Sequence, residues 1–141
     1  MIRSPKTQEE WDSYYDLRYT ILRAPWNQAR GSERNEGDET AKHFAFFDKE
    51  SIIGVGRLDI MPNNVGQIRF MAVSAQQQGR GIGKNLMLHM ETMAKEASCI
   101  EIILHAREIA LPFYKKLDYT ISEKSHILFN EIQHYLMRKK I

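Results

Sequence analysis

The sequence predicts a mixed α/β fold in which about four helices flank a central β-sheet. Apolar residues recur at helical spacing in long segments. Short runs rich in β-branched and aromatic residues lie between and after those segments. The predicted strands surround two crossover helices, which requires a partly parallel sheet. The chain of 141 residues has the usual length of one domain, so we expect a single domain over residues 1–141.

Composition and charge restrict the class of protein. Hydrophobic residues make up 43% of the chain, as in globular proteins, and the net charge of +2 is too small to indicate nucleic-acid binding. No apolar run approaches the ~20 residues of a membrane span, and residues 1–10 lack a signal-peptide pattern. Cys99 is the only cysteine, which excludes an internal disulfide. We therefore expect a cytoplasmic protein that binds neither nucleic acid nor membranes.

The first half of the chain predicts a helix, a loop and three strands. Thr7 and Glu10 form a capping-box pattern, and apolar residues at helical spacing continue to Leu22. The polar segment 24–39 predicts a loop or an irregular short helix. The three strands are expected over 43–47, 52–60 and 67–74.

The second half predicts two helices and three strands. An aliphatic and methionine stripe that begins at Ile82 predicts a long helix to about residue 97. The short apolar run 100–104 is typical of a strand covered on both faces of a sheet. A helix over 108–117 and strands over 120–130 and 132–138 complete the order.

The segment 67–84 joins a strand, a glycine-rich turn and the start of the long helix. The first N–H groups of a helix have no internal acceptor, and the helix dipole favours negative charge there. Glycines allow close approach of a diphosphate to the backbone, and the two basic side chains add positive charge. The residues predicted to hold the diphosphate are Gln78, Gly79, Arg80, Gly81, Ile82, Gly83 and Lys84.

Two better-known phosphate loops do not fit this turn. The dinucleotide fingerprint would need Gly at Lys84, and the P-loop would need Gly at Gln78 and Ser or Thr at Asn85. The alternative to a phosphate site is a plain strand-to-helix turn whose glycines serve tight packing.

The pattern Gln-x-x-Gly-x-Gly at Gln78, Gly81 and Gly83 resembles the coenzyme A signature of the GNAT acetyltransferases. A second segment, 110–119, resembles the family's Ala-x-x-aromatic-Tyr-x-Lys-apolar-Gly-aromatic pattern. The order of predicted elements is also similar to the GNAT arrangement over nearly the whole chain, with a very short first strand near residues 2–3. The resemblance implies the GNAT-type acyl-CoA N-acyltransferase fold, with acetyl-CoA as cofactor.

Two positions depart from the family pattern. Asp118 stands where members usually carry Gly, and we expect it in a left-handed conformation, which Asp tolerates better than most residues. Arg107 lies seven residues before Tyr114, where many members carry an Asn that touches the coenzyme. Arg107 is therefore a candidate cofactor contact.

The resemblance implies direct attack of an amine on the thioester in a ternary complex. Met71, Ala72 and Val73 would pair with the pantetheine arm like an added strand, and the Met71 N–H would polarise the thioester carbonyl. Tyr114 would bind the cofactor and protonate the departing thiolate, because a tyrosine with a pKa near ~10 keeps its proton at neutral pH. The alternative for Tyr114 is a core aromatic on an amphipathic helix.

The loop 24–39 lies where family members commonly build the acceptor site. Trp26 could wall a pocket there, and Glu33, Glu36 and Asp38 are candidates for the base and for binding a cationic amine. Their alternative is a solvated acidic loop. The same loop carries two arginines at positions 30 and 34, which would suit a carboxylate on the acceptor.

Two further residues are candidates for the acceptor site. Gln67 stands at the position of the Glu base in the protein-acetylating branch of the family, but an amide cannot take a proton. His134, on a late strand, could face the acceptor, although an ordinary hydrogen-bonded histidine is the alternative. No His-x-x-x-His pair or Cys/His cluster is present, so we expect no metal site.

Two functions from different classes follow. The first is an N-acetyltransferase that acts on a primary amine of a small molecule or peptide, with a homodimer as a candidate assembly. The second is a non-catalytic CoA-binding regulatory module, which the departures at Gln67, Arg107 and Asp118 keep open.

Overall fold

A computed structural model describes all residues from Met1 to Ile141. Its strands are β1 Ile2–Arg3, β2 Lys42–Asp48, β3 Ser51–Met61, β4 Val65–Val73, β5 Glu101–Arg107, β6 Thr120–Leu128 and β7 Ile132–Lys140. They form one seven-stranded sheet in the order β1-β2-β3-β4-β5-β7-β6. β4 and β5 run parallel, and the other neighbours are antiparallel. The predicted mixed sheet is confirmed.

The molecule has three α-helices rather than about four. They are α1 Gln8–Leu22, α2 Ile82–Glu96 and α3 Leu111–Lys115. The helix expected over 108–117 starts as a 3₁₀-helix, Glu108–Ala110, because Pro112 lies at the start of the α-helical turn. The loop 24–39 holds two 3₁₀-helices, Ala24–Trp26 and Glu36–Glu39. None of the helices combines the length and apolar composition that a transmembrane segment needs.

On one face of the sheet, α1 covers only the half that contains β2, β3 and β4. The helix begins as predicted, since the Thr7 hydroxyl accepts a hydrogen bond from the Glu10 N–H at 3.1 Å. Its aromatic face packs against β2, β3 and β4 around the buried Tyr14 and Ala72. On this face, β5, β7 and β6 lie beyond the helix.

The opposite face carries α2 and α3 and most of the core. Leu86, Met87 and Met90 of α2 are fully buried against Leu58 and Ile102 of the sheet. The expectation that β5 is covered on both faces is wrong. Ile102 is buried beneath α2, but the side chain of His105 on the other face is exposed, because α1 packs against β3 and β4 instead of β5.

Candidate active site

A cleft opens where β4 and β5 separate. The two strands pair only between residues 65–67 and 101–103, and beyond these residues they diverge. Two cavities of about 430 and 400 Å³ lie along this gap. We call the one lined by the 77–84 turn the turn cavity, and the one lined by β4, β5 and β7 the sheet cavity. They meet at Met71, Arg107, Ala110 and Tyr114, which line both.

A β-bulge in β4 shapes the junction of the cavities. Arg57 pairs with Arg69 and Val55 pairs with Ala72, so β4 has one residue more than β3 between these pairs. Phe70, in the bulge, has a φ of 55°, in the left-handed region. Because a bulge bends its strand and re-aims the neighbouring groups, Met71 reaches the cleft.

The glycine turn leaves its backbone donors free. Gly79 and Gly81 have φ values of 84° and 83°, and a Cβ at either position would meet no atom within 4 Å, so conformation, not packing, requires glycine there. No N–H group from Gly79 to Lys84 donates to a protein acceptor. The Gln78 side chain holds the turn by donating to the Val73 carbonyl at 3.2 Å. The turn can therefore receive an anion.

The structure separates the roles within this turn. At Gly83 a Cβ would lie 3.1 Å from the Phe113 ring, so this glycine serves tight packing. For this one glycine, the alternative predicted from the sequence, tight packing instead of phosphate binding, is the role that the structure shows. Ile82 and Lys84 line the turn cavity together with Val73. Arg80 does not line it, because its guanidinium donates to the Gln77 side chain on the exposed side of the turn.

Tyr114 lies at the junction of the cavities. It follows Pro112 in α3, is 9% exposed, and lines both cavities. Burial raises the pKa of its hydroxyl to about 12, although the nearby Arg107 cation lowers it. The hydroxyl therefore holds its proton at neutral pH and can act as a proton donor. Packing against Phe113, 4.9 Å between ring centroids, also makes Tyr114 part of the core.

The sheet cavity brings together three of the six acceptor-site candidates. Trp26, Gln67 and His134 line it. Glu33 does not, because its carboxylate accepts hydrogen bonds from the Gly31 N–H at 2.8 Å and from Arg34 at 3.2 Å within the loop. Glu36 is exposed on its 3₁₀-helix, outside the residues that line the cavity.

Asp38 serves the loop rather than the cleft. Its carboxylate binds Arg18 at 2.9 Å and Arg57 at 3.0 Å, and it also accepts from the Asn35 N–H at 2.9 Å. These contacts connect α1, the loop and β3. Glu33 and Asp38, two of the three acidic residues expected at the acceptor site, thus hold the loop, while Glu36 is exposed.

His134 has a defined tautomer. Its Nδ1 donates to the Ile132 carbonyl at 3.0 Å, which leaves Nε2 as the unprotonated nitrogen. Its ring stacks on His126 with 4.4 Å between centroids. Burial lowers its pKa below the usual value, and the His126, Arg107 and His105 groups facing it lower it further, against the opposing hydrogen bond to Ile132. At neutral pH this side chain is a proton acceptor.

Sequence reasoning missed four residues of the cleft. Arg23, Arg69, His105 and His126 line the sheet cavity together with the predicted residues. Strand alternation could have found two of them, since Arg69 follows Gln67 by two positions and His105 precedes Arg107 by two. Arg23 and His126 carry no such signal, because α1 and β6 reach the cavity only through the tertiary fold.

In this structure the parallel strands β4 and β5 separate beside a glycine turn whose amides are free. This arrangement defines a class of acyl-CoA-binding transferases. The sequence profile of the Acetyltransferase (GNAT) family matches residues 9–119, and the chain belongs to this family. It is an acetyl-CoA-dependent acetyltransferase. The predicted fold, activity and cofactor are thereby confirmed.

Relatives extend over most of the chain. An uncharacterized N-acetyltransferase of Bacillus subtilis, YjcF, is 26% identical over 134 residues, which are 95% of each chain. The glucosamine 6-phosphate N-acetyltransferase of Trypanosoma brucei brucei is 32% identical over 97 residues, 64% of this chain and 66% of that protein. The fold matches a crystal structure of an aminoglycoside 6'-N-acetyltransferase complexed with coenzyme A with a TM-score of 0.84, at 16% identity, over 99% of this chain and 96% of that one.

Proposed function

We propose that this protein transfers an acetyl group to a primary amine of a small molecule or peptide, by direct attack of the amine in a ternary complex. The observation that carries the proposal is the junction of the two cavities at Met71 and Tyr114. A donor in the turn cavity and an acceptor in the sheet cavity meet there, beside a buried proton donor. The relative named for glucosamine 6-phosphate supports a small-molecule amine.

The turn cavity fits the donor. The free amides between Gly79 and Lys84 would hold the diphosphate, and the Lys84 ammonium would add positive charge. Backbone groups of Met71, Ala72 and Val73 would pair with the pantetheine arm. Bound acetyl-CoA supplies the acetyl group as an activated thioester. Arg80 lies outside the cavity and would reach only the solvent side of the cofactor.

Two groups act at the junction. The Met71 N–H, in the bulge, would donate to the thioester oxygen as charge develops on it. The Tyr114 hydroxyl would donate its proton to the sulfur as the carbon–sulfur bond breaks, since the buried phenol is protonated at neutral pH and lies where the two cavities meet. The tyrosinate that remains would regain its proton from solvent. Arg107, which borders both cavities, contributes positive charge beside the leaving group.

His134 is the base in this proposal. Gln67 lines the cavity but cannot take a proton, and Glu33 and Glu36 lie outside it. The unprotonated Nε2 of His134 accepts the proton that the amine nitrogen loses as it attacks. The amine must attack in its neutral form, and the positive charge of the cavity favours that form by lowering the pKa of a bound ammonium.

The test is the substitution Tyr114→Phe. We expect kcat to fall about a hundredfold, because the proton donor is lost, while the dissociation constant for acetyl-CoA stays unchanged. Steady-state thiol release and calorimetric titration with CoA measure the two quantities. Tyr119→Phe is the matched control: it is also buried, lies outside both cavities, and donates to Glu91 at 2.9 Å, so it should reduce stability and not the rate.

The outcome separates the two functions predicted from the sequence. A full rate in Tyr114→Phe contradicts the role given to this hydroxyl. Tight acetyl-CoA binding without thiol release, for any amine in a broad panel, contradicts turnover and favours the regulatory module.

A further inference from the structure

The sheet cavity is strongly basic. None of its eighteen lining residues is acidic, while three are arginines and three are histidines. The arginines are Arg23 from the end of α1, Arg69 from β4 and Arg107 from the end of β5. A cavity of one charge sign raises the local concentration of ligands of the opposite sign.

The carboxylates near the cavity are already bound by other arginines. Asp38 pairs with Arg18 at 2.9 Å, Asp59 pairs with Arg57 at 2.6 Å, and Glu33 pairs with Arg34 at 3.2 Å. These pairs lie around the cavity and leave its own three arginines without an ion-pair partner. The arginines that face the cavity therefore have no carboxylate in direct contact.

The guanidinium groups contact aromatic rings in place of carboxylates. Arg23 and Arg69 lie 5.7 and 5.2 Å from the centre of the Phe70 ring, and Arg107 lies 5.6 Å from that of Trp26. Arg23 also donates to the Ser32 and Leu22 carbonyls, which fixes its position. Burial and the neighbouring cations lower the pKa of Arg23 and of Arg69, although Glu33 acts against this at Arg23, and Asp59 and Asp38 act against it at Arg69. A negative ligand would therefore favour the charged form of both side chains.

A plain alkylammonium would meet only like charge in this cavity. An amine that also carries an anion would instead bind, because the planar guanidinium matches the two oxygens of a carboxylate or phosphate. Arg107 borders the turn cavity as well, whereas Arg23 and Arg69 line the sheet cavity alone. An anion held by Arg23 and Arg69 therefore lies at the end of the sheet cavity away from the cofactor.

We infer that the acceptor is a small amine that also carries an anionic group, a carboxylate or a phosphate. Arg69 and Arg23, which both lie beside the Phe70 ring, bind this anion, and the amino group is directed to Met71 and Tyr114. This inference rests on the proposed function and specifies its substrate class. It excludes polyamines as preferred substrates.

The experiment compares amines in matched pairs. Glucosamine 6-phosphate against glucosamine tests the phosphate, amino acids against their amides test the carboxylate, and spermidine tests a polycation. We expect kcat/KM to be at least about tenfold higher for the anionic member of one pair type, mainly through KM, since hydrogen bonds between a guanidinium and an anion are stronger than those between neutral groups. The pair that shows the preference identifies the anion.

The substitution Arg69→Gln assigns the preference to the cavity. We expect it to reduce the preference about tenfold by raising KM for the anionic member, with a much smaller effect on the neutral member and no change in the KM of acetyl-CoA. Arg69 is exposed at the cavity and free of ion pairs, so the fold should tolerate the change. Arg30→Gln is the control, because it removes the same charge from an exposed pair with Asp16 outside the cavity.

Each outcome decides the inference. Equal or better turnover of the neutral amines or of spermidine overturns it while the proposed function stands. An Arg69→Gln effect on acetyl-CoA alone also overturns it. If no amine releases thiol, the proposed function fails. The anion site is then tested separately by titrating the anionic compounds into the CoA complex. Binding that Arg69→Gln weakens supports the anion site, and the absence of binding overturns it.

Discussion

His134 illustrates how the environment gives a common residue a particular chemistry. In the sequence it is one of five histidines with no distinguishing motif. In the structure, Nδ1 is tied to the Ile132 carbonyl, and the ring lies among His105, His126 and Arg107. Burial and these groups lower its pKa, so it is neutral and able to accept a proton at neutral pH.

This predicts an acid limb in the pH profile. Because the pKa of His134 lies below 6.5, kcat/KM should fall only as the pH drops through that lowered value and protonates Nε2. His134→Gln should reduce kcat/KM about a hundredfold and remove this limb. Rates measured from pH 5 to 9 test the prediction, with His89→Gln, on α2 against Phe44, as control. An unchanged acid limb in His134→Gln would assign the base elsewhere.

At the scale of elements, the junction between β4 and α2 is decided by backbone conformation. Gly79 and Gly81 have positive φ, and the amides that follow them have no acceptor in the protein. A left-handed residue with a Cβ costs about 1–2 kcal/mol, so a side chain at either position would favour a different turn. The direction of the free amides therefore depends on these two glycines.

Replacing Gly81 by Ala should weaken cofactor binding. The strain shifts the turn and misaligns its amides, so we expect the KM for acetyl-CoA to rise about tenfold, equivalent to ~1.4 kcal/mol, with a smaller change in kcat. Gly31→Ala is a matched control, because Gly31 has a φ of 102° in open space away from the cleft. If both variants lose similar stability and only Gly81→Ala raises the KM for acetyl-CoA, the result supports the proposed role of this turn in binding the diphosphate. A KM equal to that of the wild type would contradict it.

At the scale of the whole molecule, a buried ionic network joins the loop 24–39 to the sheet. Arg18 and Arg57 are 0% and 1% exposed, and both bind the Asp38 carboxylate. Burial would raise the pKa of Asp38, but its hydrogen bond from Asn35 and the two arginines outweigh burial and lower it. The network therefore positions the loop that carries Trp26 into the cleft.

Asp38→Asn should destabilise the fold strongly. It leaves two buried arginines without their shared anion, and breaking a buried pair costs about 3–5 kcal/mol in the free energy of unfolding. Because the folded pKa is lowered, this contribution is present at neutral pH and is lost as the pH falls below about 4. Urea denaturation at pH 7 measures it. Asp16→Asn, which breaks an exposed pair with Arg30, should cost less than about 1 kcal/mol, and an equal loss in both variants would contradict the role of the network.

Much of the fold was predictable from local patterns. The capping box at Thr7, the aliphatic stripe from Ile82 and the left-handed Asp118, with a φ of 74°, all follow from short-range backbone chemistry. The apolar run 100–104 led to the wrong prediction that β5 is covered on both faces, because continuous hydrophobicity does not show whether helices cover one face of a strand or both. The prediction of a homodimer stays a prediction.

By itself, the sequence determined the order of elements, the glycine turn and the family, since periodicity, capping and glycine spacing act over a few residues. Only the tertiary structure decided the character of the sheet cavity. Glu33 and Asp38 were candidates for it, but both bind arginines outside it. Arg23, Arg69 and His126 come from distant elements and line it instead. Ion pairing between residues far apart in the chain leaves no local pattern, so the sign of the cavity's charge appears only when the sheet is assembled.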